Sequence, residues 1–397
     1  MGELLTAAEA AHRLGVKRET VYAYVSRGRL PRDPSSGHRR SLFARAAVDA
    51  LADRARHGNR SGAFEVTVRT ELTAVDPAGR LFYRGADAVQ LARHRSFEQV
   101  AGLLWDGDPG TPWRLTRSDL AMLRAVRGAL PDDAGATDLI ALATAALGAA
   151  DPGARDRRPN AVRRAGARIC AGAVAILGVD ATTPAGTAER LAHALGGARR
   201  MPPPRVVEAL NAALVLLADH ELSPSALAAR VAASTWADPY RVVLAGLGPL
   251  GGALHGAMAL AVGAMLAELT SPADAFAALE RRLATGAVPG FGHGVYRERD
   301  PRADELLERA TAVALDRGRA QTIEAMTEAA QQLGLPAPNA DFGLAALTYA
   351  LGLAPEAAAT IFTAARIVGL IAHALEEYPH RLRFRPRASY VGTAPRT

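Results

Sequence analysis

Residues 205–221 read RVVEALNAALVLLADHE. Val206, Leu210, Ala213, Leu214 and Leu217 recur at helical spacing and make one apolar stripe. A half-buried strand would alternate apolar and polar residues, and this segment does not. The apolar run stops at Asp219-His220-Glu221. A lone histidine at such a point ordinarily caps a helix, so its meaning depends on its company. The same period returns in AAATIFTAARIVGLIAHALEE (357–377), where Arg366 interrupts an otherwise apolar helix. An unpaired guanidinium is costly there, which points to an anion as its partner.

Composition agrees with a mainly helical chain. Alanine, leucine and arginine dominate, and aromatics make up only 5%, a mix that favours helices over strands. At 397 residues the chain exceeds one average domain, so two or three structural units are expected. The single cysteine, Cys170, excludes an internal disulfide and a Cys-rich metal site. Its apolar neighbours predict a buried, inert thiol. The N-terminus has no charged-then-apolar leader and no apolar run reads as a membrane span, so the expected location is cytoplasmic.

The formal charge is +7, unevenly spread. Residues 1–60 hold 12 Arg/Lys and 6 Asp/Glu, or +6, leaving 35 against 34 for the remainder. The basic excess therefore belongs to the front of the chain. There Thr6 is placed to cap a helix whose Ala7, Ala10, Ala11 and Leu14 share a face. Gly15 stops it, and a second helix follows with Val21, Tyr24 and Val25 inward and Lys17, Arg18, Thr20 and Tyr22 more exposed. Arg39 and Arg40 precede a strand-like SLF, and another helix starts near Arg45. Residues 1–58 resemble a small winged helix-turn-helix domain of the MerR/excisionase type. That resemblance implies a second helix in a major groove and arginines on phosphates. The alternative is a helical appendage with a solvated basic surface. Residues 57–63 (HGNRSGA) read as a linker.

From residue 64 the pattern changes. EVTVRTELTAVDPAGRLFYRG (65–85) alternates and carries a Pro77–Gly79 turn, which predicts a small β-hairpin. Helical patterns follow, broken at four places by polar groups. Besides Asp219-His220-Glu221 these are GPLGGALHGAMALAV (248–262), PGFGHGVYRERDPRADEL (289–306) and PNADFGLAALTYALGL (338–353). His255 sits at the start of an apolar helix, where the helix N-terminus disfavours imidazolium. His293 lies between two glycines in a loop. Arg302 follows a proline at a helix start, and Asp341 precedes an apolar helix, where a plain N-cap is the commoner use.

Taken in order, these segments resemble citrate synthase. GALHGAMALAV is similar to the family's GPLHGGANEAV, GFGHGVYRERDPRA to GFGHRVYKNYDPRA, and PNADF to PNVDF. STWADPY (234–240), residues 79–108 and RFRPRASYVG (383–392) extend the similarity over about residues 66–393. The resemblance implies a mainly α fold with large and small helical domains forming a cleft. Residues 64–257 and 348–397 would be the large domain and 258–347 the small one, in a homodimer. It implies condensation of acetyl-CoA (or propionyl-CoA) with oxaloacetate to give citrate (or 2-methylcitrate). Asp341 would be the base, with His255 bonded to the thioester oxygen and His293 donating to the oxoacid carbonyl. His220, Arg302, Arg366 and Arg385 would hold oxaloacetate, Arg385 across the dimer interface. Arg297 and Arg387 would meet the CoA phosphates or simply be surface arginines. Gly294, Ala257, Ala259, Leu260 and Leu217 depart from the family's usual residues.

Two further readings are distinct in class. One is a DNA-binding transcription regulator that uses a citrate-synthase-like body as a metabolite sensor. The other is a metal hydrolase built on Asp219, His220, His255 and His293. No helical His-x-x-x-His pair supports it. No metal or cofactor is expected, acetyl-CoA entering as substrate, and no membrane partner.

Overall fold

The computed structural model describes residues 4–14, 16, 18–26, 30–33, 41–45, 47–48, 67–107, 113–196, 202–252, 255–256, 258–286, 288–382 and 384. The chain divides into two compact units, Met1–Arg69 and Thr70–Thr397.

In the first unit, β1 (Leu4–Thr6) leads directly into α1 (Ala7–Leu14), and α2 spans Arg18–Ser26. β2 (Leu42–Ala44) pairs antiparallel with β1, Leu5 opposite Phe43. Thr6 caps α1 reciprocally. Its backbone N–H and hydroxyl donate to the Glu9 carboxylate at 2.7 and 2.8 Å, and its Oγ1 accepts Glu9 N–H at 3.3 Å. Ala7, Ala10, Ala11 and Val21 are buried with Leu5, Leu30, Phe43 and Val48, as the helical period predicts. Arg18 is exposed, whereas Thr20 is half-buried. Tyr22 is half-buried too and packs on this small core, with the Arg32 guanidinium 6.0 Å from its ring centroid. Its aromatic ring gains more from that apolar wall than from water. Lys17, Arg39, Arg40 and the linker 57–63 lie outside the described residues.

The second unit opens with β3 (Thr73–Val75), β4 (Leu81–Tyr83) and β5 (Ala86–Asp87) in one antiparallel sheet. The expected hairpin is there, shortened at its start and extended by a third strand. Helices follow: α3 (Ala88–His94), α4 (Phe97–Leu104), α5 (Arg117–Gly128), α6 (Ala136–Ala149), α7 (Pro159–Ala175) and α8 (Thr187–Gly196). Then come α9 (Pro204–Leu217), α10 (Pro224–Ser234), α11 (Pro239–Leu250), α12 (Met258–Ala267) and α13 (Ala275–Thr285). The last are α14 (Pro301–Val313), α15 (Arg317–Gln332), α16 (Ala340–Ala350) and α17 (Glu356–Glu377).

α17 is the hub. It packs against α4, α6, α7, α9, α10, α11, α12 and α16. By length and hydropathy alone this helix could cross a membrane, but 89% of its most apolar window is buried inside the protein, as befits a core helix. A second cluster of helices packs α14 on α16 and α16 on α12. Cys170 on α7 is buried, and burial pushes its thiol well above the ordinary range.

Candidate active site

Five helix ends converge on one polar region. α9 stops at Leu217, and Asp219 and His220 follow in the turn. Ser223 caps α10, and Ser225 is in its first turn. His255 lies three residues before α12. Asp300 caps α14, which places Arg302 in its first turn. Asn339 caps α16 through the N–H groups of Asp341 and Phe342. Asp341 is therefore not the cap, and its carboxyl is left to other work. Arg366 and Phe362 come from the middle of α17.

The loop carrying His293 is stitched to the start of α16. Asn339 N–H donates to the Gly290 carbonyl at 2.9 Å, and Asn339 Nδ2 donates to Gly292 O at 2.8 Å. Gly290 and Gly292 hold φ of 88° and 78°, a left-handed conformation glycine adopts freely. Asp300 ties the same corner together. It accepts Ala340 N–H at 2.9 Å and grips Arg302 in a two-pronged pair at 2.9 and 2.8 Å.

His293 has a defined proton. Its Nδ1 accepts the N–H groups of Val295 and Tyr296 at 3.0 and 3.4 Å, so the ring proton sits on Nε2. Nε2 lies 3.5 Å from Arg302 Nη2. His293 Nε2 has no acceptor among the described residues and Arg302 Nη2 keeps a second N–H beyond the one it gives Asp300, so the two converge as a cradle for a substrate oxygen. Burial, then Arg302, lowers the pKa of His293, so the ring is a neutral donor. The His220 ring is 5.1 Å from that of His293, and its Nε2 is 3.1 Å from the Tyr296 hydroxyl. Burial, then Arg302 and Arg366, drives His220 well below its usual pKa.

A second chain of donors starts at Arg366, which is 1% exposed. Its Nε donates to Leu217 O at 3.1 Å and its Nη1 to Ser223 Oγ at 3.3 Å, while its guanidinium lies 4.9 Å from the Phe362 ring centroid. Among the described residues no carboxylate is within ion-pair distance of it. Ser223 Oγ also accepts Ala226 N–H at 3.4 Å. With both lone pairs used, its hydroxyl must donate to Ser225 Oγ, 3.0 Å away. Ser225 accepts there and still holds its own proton, and His255 Nε2 lies 3.1 Å from its Oγ. With Ser225 as the donor, the proton of His255 sits on Nδ1. Burial, then Arg366, lowers its pKa to about 4, so it too is neutral near pH 7.

Asp341 is half-buried. Burial raises its pKa to about 6, with Arg302 and Arg366 opposing and Asp300 adding to the rise. Its proximity to both arginines joins the two donor chains into one site. Arg297 is exposed on the rim of an adjoining cavity of about 280 Å³ that His293, Tyr296 and Pro338 also line. Arg385 and Arg387 lie outside the described residues. Ser223, Ser225, Tyr296, Asp300, Asn339 and Phe362 belong to the site without having been singled out in the sequence. The D-P-R order at 300–302 was a signal for Asp300, since Asp before Pro marks a helix cap. Among the described residues no group of three or more His, Cys, Asp or Glu is arranged to hold a metal ion.

Residues 63–387 match the family model for the citrate synthase C-terminal domain. The chain belongs to the citrate synthase family. Residues 4–56 match a helix-turn-helix domain. Among relatives, citrate synthase 2 of Bacillus subtilis is 33% identical over 79% of this chain and 90% of its own length. The 2-methylcitrate synthase of Mycobacterium tuberculosis is 31% identical over 89% and 95%. Among solved structures, citrate synthase of Thermoplasma acidophilum in ternary complex with carboxymethyl coenzyme A and oxaloacetate superposes with a TM-score of 0.70 at 26% identity, over 86% of this chain and 97% of that one. Citrate synthase of Pyrobaculum aerophilum gives 0.69 at 28%, over 86% and 93%. The chain is thus an acyltransferase-type enzyme of this family, with a helix-turn-helix unit ahead of it in sequence.

Proposed function

We propose that this protein condenses acetyl-CoA or propionyl-CoA with oxaloacetate, using Asp341, His255 and His293 on the reacting atoms. The observation that carries the reading is the pair of converging donors, His293 Nε2 and Arg302 Nη2, beside a buried Arg366 without a carboxylate partner among the described residues. A ketone oxygen and a carboxylate meet those needs. Asp341, with a pKa of about 6, takes a proton from the acyl-CoA α-carbon. His255 stabilises the resulting enol oxygen from Nδ1. The enol carbon attacks the ketone carbon, and His293 gives its Nε2 proton to the ketone oxygen. Water then cleaves the thioester and releases the CoA thiol. Arg302, Arg366, His220 and the partner subunit's Arg385 hold the two carboxylates, and Arg297 and Arg387 meet the CoA phosphates.

The cleft divides residues 64–257 and 348–397 from residues 258–347, in keeping with the packing of α12 and α14 on α16. A homodimer covers apolar surface that one chain leaves open. α12 has no polar side chain, yet Ala261, Ala264 and Ala267 are exposed, and Leu142 on α6 is 41% exposed. Residues 1–58 bind duplex DNA through Lys17, Arg18, Thr20, Tyr22, Arg39 and Arg40, in keeping with the +6 charge of residues 1–60.

The deciding measurement is thiol release by the purified full chain with oxaloacetate and each acyl-CoA. Release with at least one is expected, and the better substrate names the acyl group. No release with either overturns the reading.

A further inference from the structure

The negative charge nearest to balancing Arg366 is Asp219, fully buried and on the turn that follows α9. Its Oδ2 accepts from the Thr73 hydroxyl at 2.5 Å, and its Oδ1 faces His373 Nε2 at 3.1 Å. Behind His373 stands Arg230, with no exposure. Arg230 Nε donates to His373 Nδ1 at 2.8 Å, while its other nitrogens reach Glu377 at 3.0 Å, Thr70 at 3.1 Å and Glu376. None of these groups is used in the chemistry above.

The direction of this relay is fixed by chemistry. A guanidinium N–H only donates, so His373 Nδ1 must offer a lone pair and Nε2 must carry the ring proton. The ring is then neutral and donates to Asp219, which stays ionised. The relay runs Arg230 to His373 to Asp219 and ends on the turn 218–220. That turn serves the site twice. The neighbouring Leu217 carbonyl accepts from Arg366 Nε, and His220 meets Tyr296. It is gripped from other sides too. The Tyr83 hydroxyl lies 3.1 Å from the carbonyls of Val215, Leu216 and Asp219. Gly369 N–H donates to Ala218 O at 3.1 Å, and a Cβ on Gly369 would strike that oxygen and the Asp219 carboxylate.

We infer that Asp219, His373 and Arg230 form a positioning unit for the oxoacid. The unit fixes the turn that aims His220 and holds Arg366, and it supplies countercharge to Arg366 without occupying its outer edge. This rests on the proposed roles of His220 and Arg366, and no member of the unit touches substrate.

His373→Gln and His373→Leu in the full chain separate positioning from packing. Glutamine places an N–H near the Nε2 position, whereas leucine fills comparable space and donates nothing. The Leu variant raises the oxaloacetate KM by ~10-fold or more, the scale of one hydrogen bond to a charged group. Its acyl-CoA KM stays within about twofold, and the Gln variant recovers most of the loss. Thr73→Val is the milder probe should the Leu variant not fold, and it raises the same KM by about two- to fivefold. Equal effects of Leu and Gln, equal movement of both KM values, or an unmoved oxaloacetate KM in Thr73→Val would overturn the positioning unit while leaving the condensing reaction intact. A wild-type chain that releases no thiol overturns the reaction and the unit together.

Discussion

Asp341 illustrates how a residue's neighbours decide its task. Asn339 already satisfies the N–H groups at the start of α16, so the Asp341 carboxyl is spared from capping. Burial then lifts its pKa to about 6, near the operating pH, where a general base is most effective. Asp341→Asn keeps the shape and removes the base. Turnover falls by ~10²–10⁴-fold while oxaloacetate binding, read by calorimetry, survives. Retained turnover would refute the role. The wild-type pH profile follows from the same shift. The base works ionised, so kcat/KM falls by about tenfold per unit as pH drops below about 6 and levels off above it. His255 is already neutral throughout that range, its pKa lying at about 4.

At the scale of elements, the site is a meeting of helix starts, and the spacing between helices sets its geometry. α14 brings Arg302 and α16 brings Asp341. They close on each other at Gly343, where a Cβ would sit 2.9 Å from Leu306 Cβ and 3.0 Å from Ala303 Cα. Neither neighbour is the far end of a flexible side chain. Gly343→Ala therefore forces the two helices apart. A loss of about 1–3 kcal/mol of stability is expected, together with a fall in kcat/KM, by denaturant melts and steady-state assay. Full activity and an unchanged melt would show that the contact has slack.

For the whole molecule, the charge distribution matters most. Nearly all the net +7 resides in residues 1–60, and the condensing body is close to neutral. DNA affinity should therefore depend on salt through the front unit. If Lys17, Arg18, Arg39 and Arg40 each neutralise a phosphate, log K falls against log[salt] with a slope of about −3.6. Titration of the full chain on duplex DNA at several salt concentrations measures it. No retention at low salt would leave the unit as a helical appendage.

The sequence by itself determined the helical class, the stripes of α9 and α17, the Thr6 cap and the order of the polar breaks, because these depend on residues a turn or two apart. It also made Arg366 conspicuous, since a charge in an apolar helix is visible locally. The family's motifs supplied the rest of the named set. Only the tertiary structure decided that Asn339, rather than Asp341, caps α16, that Tyr22 leans on the front core, and that Ser223 and Ser225 orient His255. It alone revealed that Asp219 is tied through His373 to Arg230, contacts that span 154 and 143 residues of sequence. A proton's place on an imidazole depends on which atoms lie within about 3 Å, and no periodicity in a chain records that.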